Sequence, residues 1–277
     1  MMRSRNGFVS FVFIAIAFLI LSSLSVWAAD RKMDPNELVA KHLDSIGTAE
    51  ARATLRSREA QGNVAFEEMI GHGFRQQGGA SFSTQGATVK YVFQFGAPQY
   101  VGEQLAFDGK KVTVANIDPT KRSNLGNYLY QQDEIMRAGL FGGTLSTAWP
   151  LLRLKESGAG IKYVGLIKVE GRELHDLIFT PKKRSGAGDL VIHLYFDPAT
   201  FRHVGSLYLL RVAGSSGLGM SGEETRQILE ERFDDFQEID GLTIPQKWEI
   251  RFHMEPQAKA RVFQWMVIWP AMRNNPN

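Results

Sequence analysis

The stretch FDDFQEIDGLTIPQKWEIRF, Phe233 to Phe252, decides the fold. Asp240-Gly241 is a pair that tolerates positive φ, and after it Ile244, Trp248, Ile250 and Phe252 share one parity while Lys247, Glu249 and Arg251 share the other. A period of two with one apolar and one charged side marks a strand of an antiparallel sheet buried on one face. The acids Asp234, Asp235, Glu238 and Asp240 pose a rival reading, a carboxylate pair at the mouth of an active site. They alternate with Phe233, Phe236 and Ile239 as a solvated edge does, and Asp240 belongs to the turn, so the stretch reads as one hairpin of a sheet.

Working outward, the same grammar recurs. REAQGNVAFEE, GFRQQGGASFST, ATVKYVFQF, QYVGEQLAF and KVTVANI read as strands, as do IKYVGLIKV, RELHDLIFT, LVIHLYF, RHVGSLYLLRV and ARVFQWMVIW. Asp108-Gly109 and Gly171 suit two-residue hairpin turns, and Asp197-Pro198 opens a type I turn. Roughly ten strands joined by short hairpins make a meandering antiparallel sheet, which must curl or close. Tyr91, Phe93 and Phe95 share a face, and so do Ile161, Tyr163, Ile167 and Val169, so the curled sheet has an apolar side that needs a cover.

The cover comes from two places. Asp34 is placed as N-cap, Pro35 as first helical residue and Gly47 as stop, with Leu38, Val39, Leu43 and Ile46 at helical spacing. A second short helix fits TAEARATLRS. In the middle, LGNYLYQQDEIMR reads as helix, and AGLFGGTLSTAWPLL then runs from Ala138 to Leu152 without a charge. That run is too short and too broken to span a membrane. It suits either a buried plug under the sheet or an apolar lid hinged at Gly142-Gly143, with Leu140, Phe141, Leu145 and Trp149 as its inner face.

The amino terminus has Arg3 and Arg5, an apolar run from Phe8 to Leu21, and SVWAAD, the layout of a signal peptide cleaved after Ala28. This divides the chain into 1–28, the signal, and 29–277, one domain in the periplasm. The alternative is an uncleaved anchor in the inner membrane. Ser4 separates the arginines, so no twin-arginine signal is present. The 277-residue chain has no cysteine, which excludes disulfides and thiolate metal sites. Of 32 basic residues two lie in the signal, leaving 30 against 29 acidic, a balance that gives no footprint for nucleic acid.

Several constellations imitate chemistry. GLGMSG, Gly217 to Gly222, spells a dinucleotide fingerprint with Asp240 near the expected acid, but it sits among hairpins rather than alternating helices and parallel strands, and reads as a flexible loop. His175, His193 and His203 fall on three successive strands, with His193 and His203 expected opposite each other across the Asp197-Pro198 turn. Their spacing matches no metal motif, and no hydrolase motif accompanies them. Lys182, Lys183 and Arg184 form a basic loop tip that suits either bulk solvent or peripheral contact with anionic headgroups at a membrane surface.

LHDLIFTPKK, LVIHLYFDPATFRHVGSLYL and RFDDFQEIDGLTIPQKWEI resemble, in order and spacing, the carboxyl half of LolA-like outer-membrane lipoprotein-sorting proteins, and ELVAKHLDSIGTAEARATLRSREAQGNV resembles their entry. The resemblance covers about the first fifty residues after the signal and the last hundred. It implies a mostly β (α+β) fold, a curved antiparallel incomplete β-barrel with helices over its concave apolar face. It also implies a cavity for a lipid or lipoprotein acyl chain, no enzymatic activity, no cofactor, and strand rather than helix over residues 223 to 236. The expected cavity and lid residues are Tyr91, Phe93, Phe95, Leu140, Phe141, Leu145, Trp149, Trp248, Ile250 and Phe252. The alternative is a periplasmic hydrolase or the accessory domain of an envelope protease. Amino-terminal sequencing of the exported protein is expected to begin at Ala29 or within a residue or two of it; Arg3 retained in a carbonate-washed membrane pellet would instead establish the anchor.

Overall fold

A computed structural model describes residues 33–70, 73–114, 122–212, 225–255 and 260–276. The expected leader and the GLGMSG loop lie outside them. Among the described residues no helix is long and apolar enough to cross a membrane.

Twelve strands form one sheet: β1 (Ser57–Ile70), β2 (Arg75–Gln85), β3 (Thr88–Phe95), β4 (Gly102–Phe107), β5 (Val112–Val114), β6 (Gly160–Val169), β7 (Arg172–Thr180), β8 (Asp189–Phe196), β9 (His203–Val212), β10 (Thr225–Ile239), β11 (Leu242–Glu255) and β12 (Arg261–Asn274). Their order is β5-β4-β3-β2-β1-β12-β11-β10-β9-β8-β7-β6, with every neighbouring pair antiparallel. Two meanders therefore join at the β1–β12 seam. The edges are β5 and β6, the strands on either side of the middle segment, so that segment runs from one edge of the open sheet to the other.

The sheet is strongly curved. Tyr91 on β3 and Trp248 on β11 are four strand positions apart, about 19 Å in a flat sheet, yet their ring centroids are 5.1 Å apart. Only a concave sheet brings them together. Aromatic side chains dominate that inner face, with Phe82 against Trp269 at 4.9 Å and Phe66 against Trp265 at 5.2 Å.

The opening stretch is a hairpin: Ile239 pairs with Leu242 across Asp240-Gly241, whose φ values of 53° and 74° are those of a type I′ turn. Ile244, Trp248, Ile250 and Phe252 are buried, and Asp234, Asp235, Glu238 and Asp240 are exposed. β10 is strand from Thr225 despite the helical composition of EETRQILEERF, because pairing on both sides outweighs a weak local preference. Two details differ from expectation. The Asp108-Gly109 connection is four residues long, closed by the Asp108 N–H on Lys111 O at 3.3 Å and by Asp108 Oδ1 accepting from Lys110 N and Lys111 N. His193 pairs with Leu207, and His203 faces Phe196, because the connection between the strands runs six residues, Asp197 to Arg202, instead of turning tightly at Asp197-Pro198.

Two amino-terminal helices sit at the rim. α1 (Pro35–Ile46) starts with Asp34 accepting from Asn36 N at 2.7 Å and buries Leu38, Val39, His42 and Ile46. α2 (Ala49–Thr54), capped by Thr48, has no fully buried residue. At the seam, β1 slips register between Gln61 and Asn63, and a Cβ on Gly62 would lie 2.1 Å from Ile268 O. Gly62→Ala is expected to lower the urea midpoint by the equivalent of about 1–3 kcal/mol, the usual cost of forcing an extra carbon into a packed site.

Candidate functional site

The segment that spans the two edges is folded but not into the sheet. It contains α3 (Asn124–Gln131), α4 (Glu134–Arg137), single 3-10 turns at Gly143–Leu145 and Pro150–Arg153, and α5 (Leu154–Ser157). The one helix expected over 125–137 is broken at Gln132-Asp133. Leu140, Phe141, Leu145 and Trp149 point into the concavity and are fully buried. Phe141 stands edge-on to Tyr91 (5.6 Å) and Trp248 (5.0 Å), and Trp248 also meets Phe93 at 6.0 Å.

Irregular backbone inside a core must find partners for its N–H and C=O groups away from the strand ladder. Side chains of the sheet supply them. Arg58 on β1 donates from Nη1 to Thr144 O and Leu145 O, both at 2.8 Å, and from Nε to Asn274 Oδ1 at 2.8 Å. On the other side Glu231 of β10 accepts from Gly142 N at 2.7 Å, Trp248 Nε1 at 3.0 Å and Tyr208 Oη at 2.7 Å. Tyr91 Oη donates to Phe141 O at 3.1 Å, and Thr84 Oγ1 lies 2.7 Å from Thr147 Oγ1 and 3.3 Å from Ser146 Oγ. Gly142 is required here: its φ is 84°, and a Cβ would sit 2.0 Å from Tyr91 Oη.

Burial sets the protonation of these groups. It pushes Glu231 up to about 7, against three hydrogen bonds that pull it down. Glu103, which accepts from Tyr100 Oη at 2.6 Å, is likewise raised to about 7 by burial. Arg58 is lowered by burial to about 10 and stays charged. His42 is driven down to about 4 by burial; it bonds Phe201 O through Nδ1 (3.1 Å) and accepts from Trp149 Nε1 at Nε2 (3.0 Å), which fixes the neutral tautomer with its proton on Nδ1. Burial also holds His203 well below its usual value.

The expected cavity residues all lie in one buried core. Tyr91, Phe93, Phe141 and Trp248 form one aromatic cluster. Phe252 packs on Tyr128 at 5.1 Å, Phe95 on Tyr100 at 5.3 Å, and Trp149 on His203 at 4.5 Å. Leu140, Leu145 and Ile250 are buried between them. The three strand histidines have separate partners: His175 with Tyr163 Oη, His193 with Asp176, and His203 with Ser206 Oγ. Among the described residues no group of three or more His, Cys, Asp or Glu is placed to hold a metal.

Arg58, Glu231 and His42 have no place among the expected residues. Parity was a usable signal for two of them: Glu231 sits between Leu229 and Phe233 on the inward register, and Arg58 precedes Ala60 and Val64 on the same register.

Two of the hollows at the surface have strongly apolar linings. A cleft of about 690 Å³ is lined by Ala138, Ala148, Trp149, Pro150, Phe179 and Pro181, with Lys182, Lys183 and Arg184 on its rim. A second, of about 350 Å³, lies among Phe66, Phe74, Tyr100, Phe263 and Trp265, next to the Glu68–Arg261 ion pair.

No protein-family profile matches the chain, and no curated protein matches it in sequence. Its architecture is shared with solved structures. A LolA superfamily protein from Nitrosomonas europaea aligns with a TM-score of 0.50 at 13% identity, covering 88% of this chain and 95% of that one. A protein from Vibrio parahaemolyticus described as an outer-membrane lipoprotein-sorting domain aligns at 0.46 and 9% identity, covering 88% and 94%. The curved open sheet with its helical cover is thus a LolA-like fold.

Glu231 and Glu103 give the fold a pH dependence of definite sign. Both are raised above the value of 4.5 that they have when unfolded, so the folded state holds their protons more tightly, and stability is lost as pH rises through about 7. His42 and His203 act oppositely, because lowered histidines cost stability as pH falls below about 6.5. The urea midpoint is expected to rise from pH 8 to about 6.5, to change little between about 6.5 and 4.5, where the carboxylates and the histidines oppose each other, and to fall in more acid solution. Glu231→Gln should flatten the upper limb, and an unchanged slope in that variant would assign the titration elsewhere.

Proposed function

We propose that the protein is an exported carrier that takes up a lipid, a lipoprotein acyl chain or a similar amphiphile against the concave face of its sheet, with residues 1–28 as a cleaved signal and 29–277 as a single periplasmic domain. The observation that carries this reading is the nature of the cover. The concavity is filled by a segment that lies outside the sheet ladder and is held by side-chain bonds from Arg58, Glu231, Tyr91 and Thr84. A segment held this way can leave without breaking a strand pair. Its departure uncovers Tyr91, Phe93, Phe95, Trp248, Ile250 and Phe252 as one apolar wall, and Leu140, Phe141, Leu145 and Trp149 form the facing wall.

The LolA-like fold supports the reading, as does the continuity of the aromatic lining. In this mechanism Arg58 and Glu231 are the latch. An acyl chain replaces the apolar contacts of Phe141 and its neighbours, while the freed carbonyls and N–H groups reach water at the opened edge. Contact of Lys182, Lys183 and Arg184 with anionic headgroups would bring the protein to the membrane surface where cargo is exchanged.

The absence of cysteine makes a clean test possible. Thr84 and Ser146 have hydroxyls 3.3 Å apart, one on the sheet and one on the cover. In the double variant Thr84→Cys/Ser146→Cys, an oxidised crosslink is expected to abolish uptake of a fluorescent fatty acid, with recovery on reduction. Undiminished uptake by the crosslinked protein would show that uptake does not depend on movement of the cover, and a parent protein that binds no acyl probe and copurifies with no lipid would refute the carrier.

A further inference from the structure

The larger cleft joins two kinds of surface, and the combination identifies a ligand class. Its inner wall is apolar, with Ala138, Ala148, Trp149, Pro150, Phe179 and Pro181. Its volume of about 690 Å³ falls within the range of roughly 300–1,000 Å³ of small-molecule sites. The rim is charged: Arg137, Arg153, Lys182, Lys183 and Arg184 against Asp133, Glu134 and Glu156.

Most of the acids are already engaged by the protein. Asp133 takes Arg137 Nε at 2.6 Å and also the hydroxyl of Ser185. Glu134 accepts from Ser185 Oγ at 2.6 Å and from Gly186 N at 3.1 Å. Arg184 leans away toward Asp189, 3.7 Å distant, and donates to Leu190 O. What remains facing the cleft is Arg153, Lys182 and Lys183, all exposed, against Glu156 and the buried Glu134, whose hydrogen bonds come from neutral donors. Lys182 is also positioned by packing. Its stem crosses the left-handed Gly158 at the end of α5, where a Cβ would stand 3.0 Å from Lys182 Cδ.

We propose that this cleft is the entry and headgroup site for an acidic long-chain amphiphile, its carboxylate or phosphate held by Arg153, Lys182 and Lys183 and its chain directed onto Trp149 and Pro150. The proposal rests on the carrier reading and specifies its cargo. Trp149 and Pro150 are buried in the wall of the cleft and belong to the segment that fills the concavity. A chain pressing on them acts on the Trp149–His42 bond and on the cover behind it, so recognition of the acid and opening of the cover become one event. An uncharged chain meets the same apolar wall with nothing to hold its head there.

The test uses the full exported protein with three fluorescent probes of equal chain length, a carboxylic acid, the matching alcohol and the matching quaternary ammonium. In low salt the acid is expected to bind about tenfold more tightly than the alcohol, and the ammonium most weakly. Lys182→Glu/Lys183→Glu should remove that advantage and leave the alcohol unchanged; Arg153→Gln should reduce it in part. Equal binding of acid and alcohol by the parent, or equal loss of both in the variants, overturns the headgroup site and leaves the carrier standing. Failure of all three probes refutes the carrier itself. Two further outcomes also count against the proposal. Displacement of the acid by inorganic phosphate with no dependence on chain length would make the cleft a small-anion site. Loss of binding to anionic vesicles in the variant, with unchanged uptake of the soluble acid, would make the lysines a membrane contact only.

Discussion

A backbone with no regular partner strand is buried at the centre of this protein, and its unpaired amide and carbonyl groups govern what surrounds it. Residues 140 to 149 lie in the hollow of a curved sheet, where each orphan polar group would cost about 1–3 kcal/mol. Arg58, Thr84 and Tyr91 lie on the adjacent strands β1, β2 and β3 while Glu231 lies on β10, three strand positions beyond β1, and only the curvature of the sheet lets both sides reach the same short segment. The aromatic cluster then encloses these bonds and raises their strength by excluding water. Charge burial follows from the same constraint, since the Arg58 guanidinium serves two backbone carbonyls at once and Glu231 ties Gly142 N to Trp248 and Tyr208.

Topology explains why such a segment exists. The first and last strands of the chain pair with each other in the middle of the sheet, which leaves β5 and β6 as the outer edges. The connection between those edges must cross the opening, and crossing it places the connection over the apolar face. One stretch of chain therefore serves as link, as core and as cover.

Much of this was legible in the residues. Alternation in TIPQKWEIRF, the Asp240-Gly241 and Gly171 turns, and the Asp34-Pro35 helix start each depend on neighbours within a few positions, so local pattern suffices. The buried faces of β3 and β11 followed from parity alone. What escaped depends on distant partners. Parity places Arg58 and Glu231 on the inward face but does not name what they bond until the cover is in place, and His42 looks like the polar residue of an amphipathic helix until Trp149 and Phe201 O meet it. His193 and His203 do not face each other because the turn after Phe196 takes six residues, a length that Asp197-Pro198 alone does not announce. The helix over 125–137 breaks where Gln132 Nε2 and Glu134 reach the loop after β7, contacts that no helical periodicity announces.

A closed barrel has its girth fixed by strand number and stagger. This sheet of twelve strands never closes, and among the described residues β5 and β6 each have a single strand neighbour. Its radius is therefore set by whatever it wraps, which here is its own connecting chain. A wall of this kind adapts to thick or thin contents by changing the twist between strands rather than by rupturing a seam, so substitutions that alter the bulk of the enclosed segment are absorbed by the sheet.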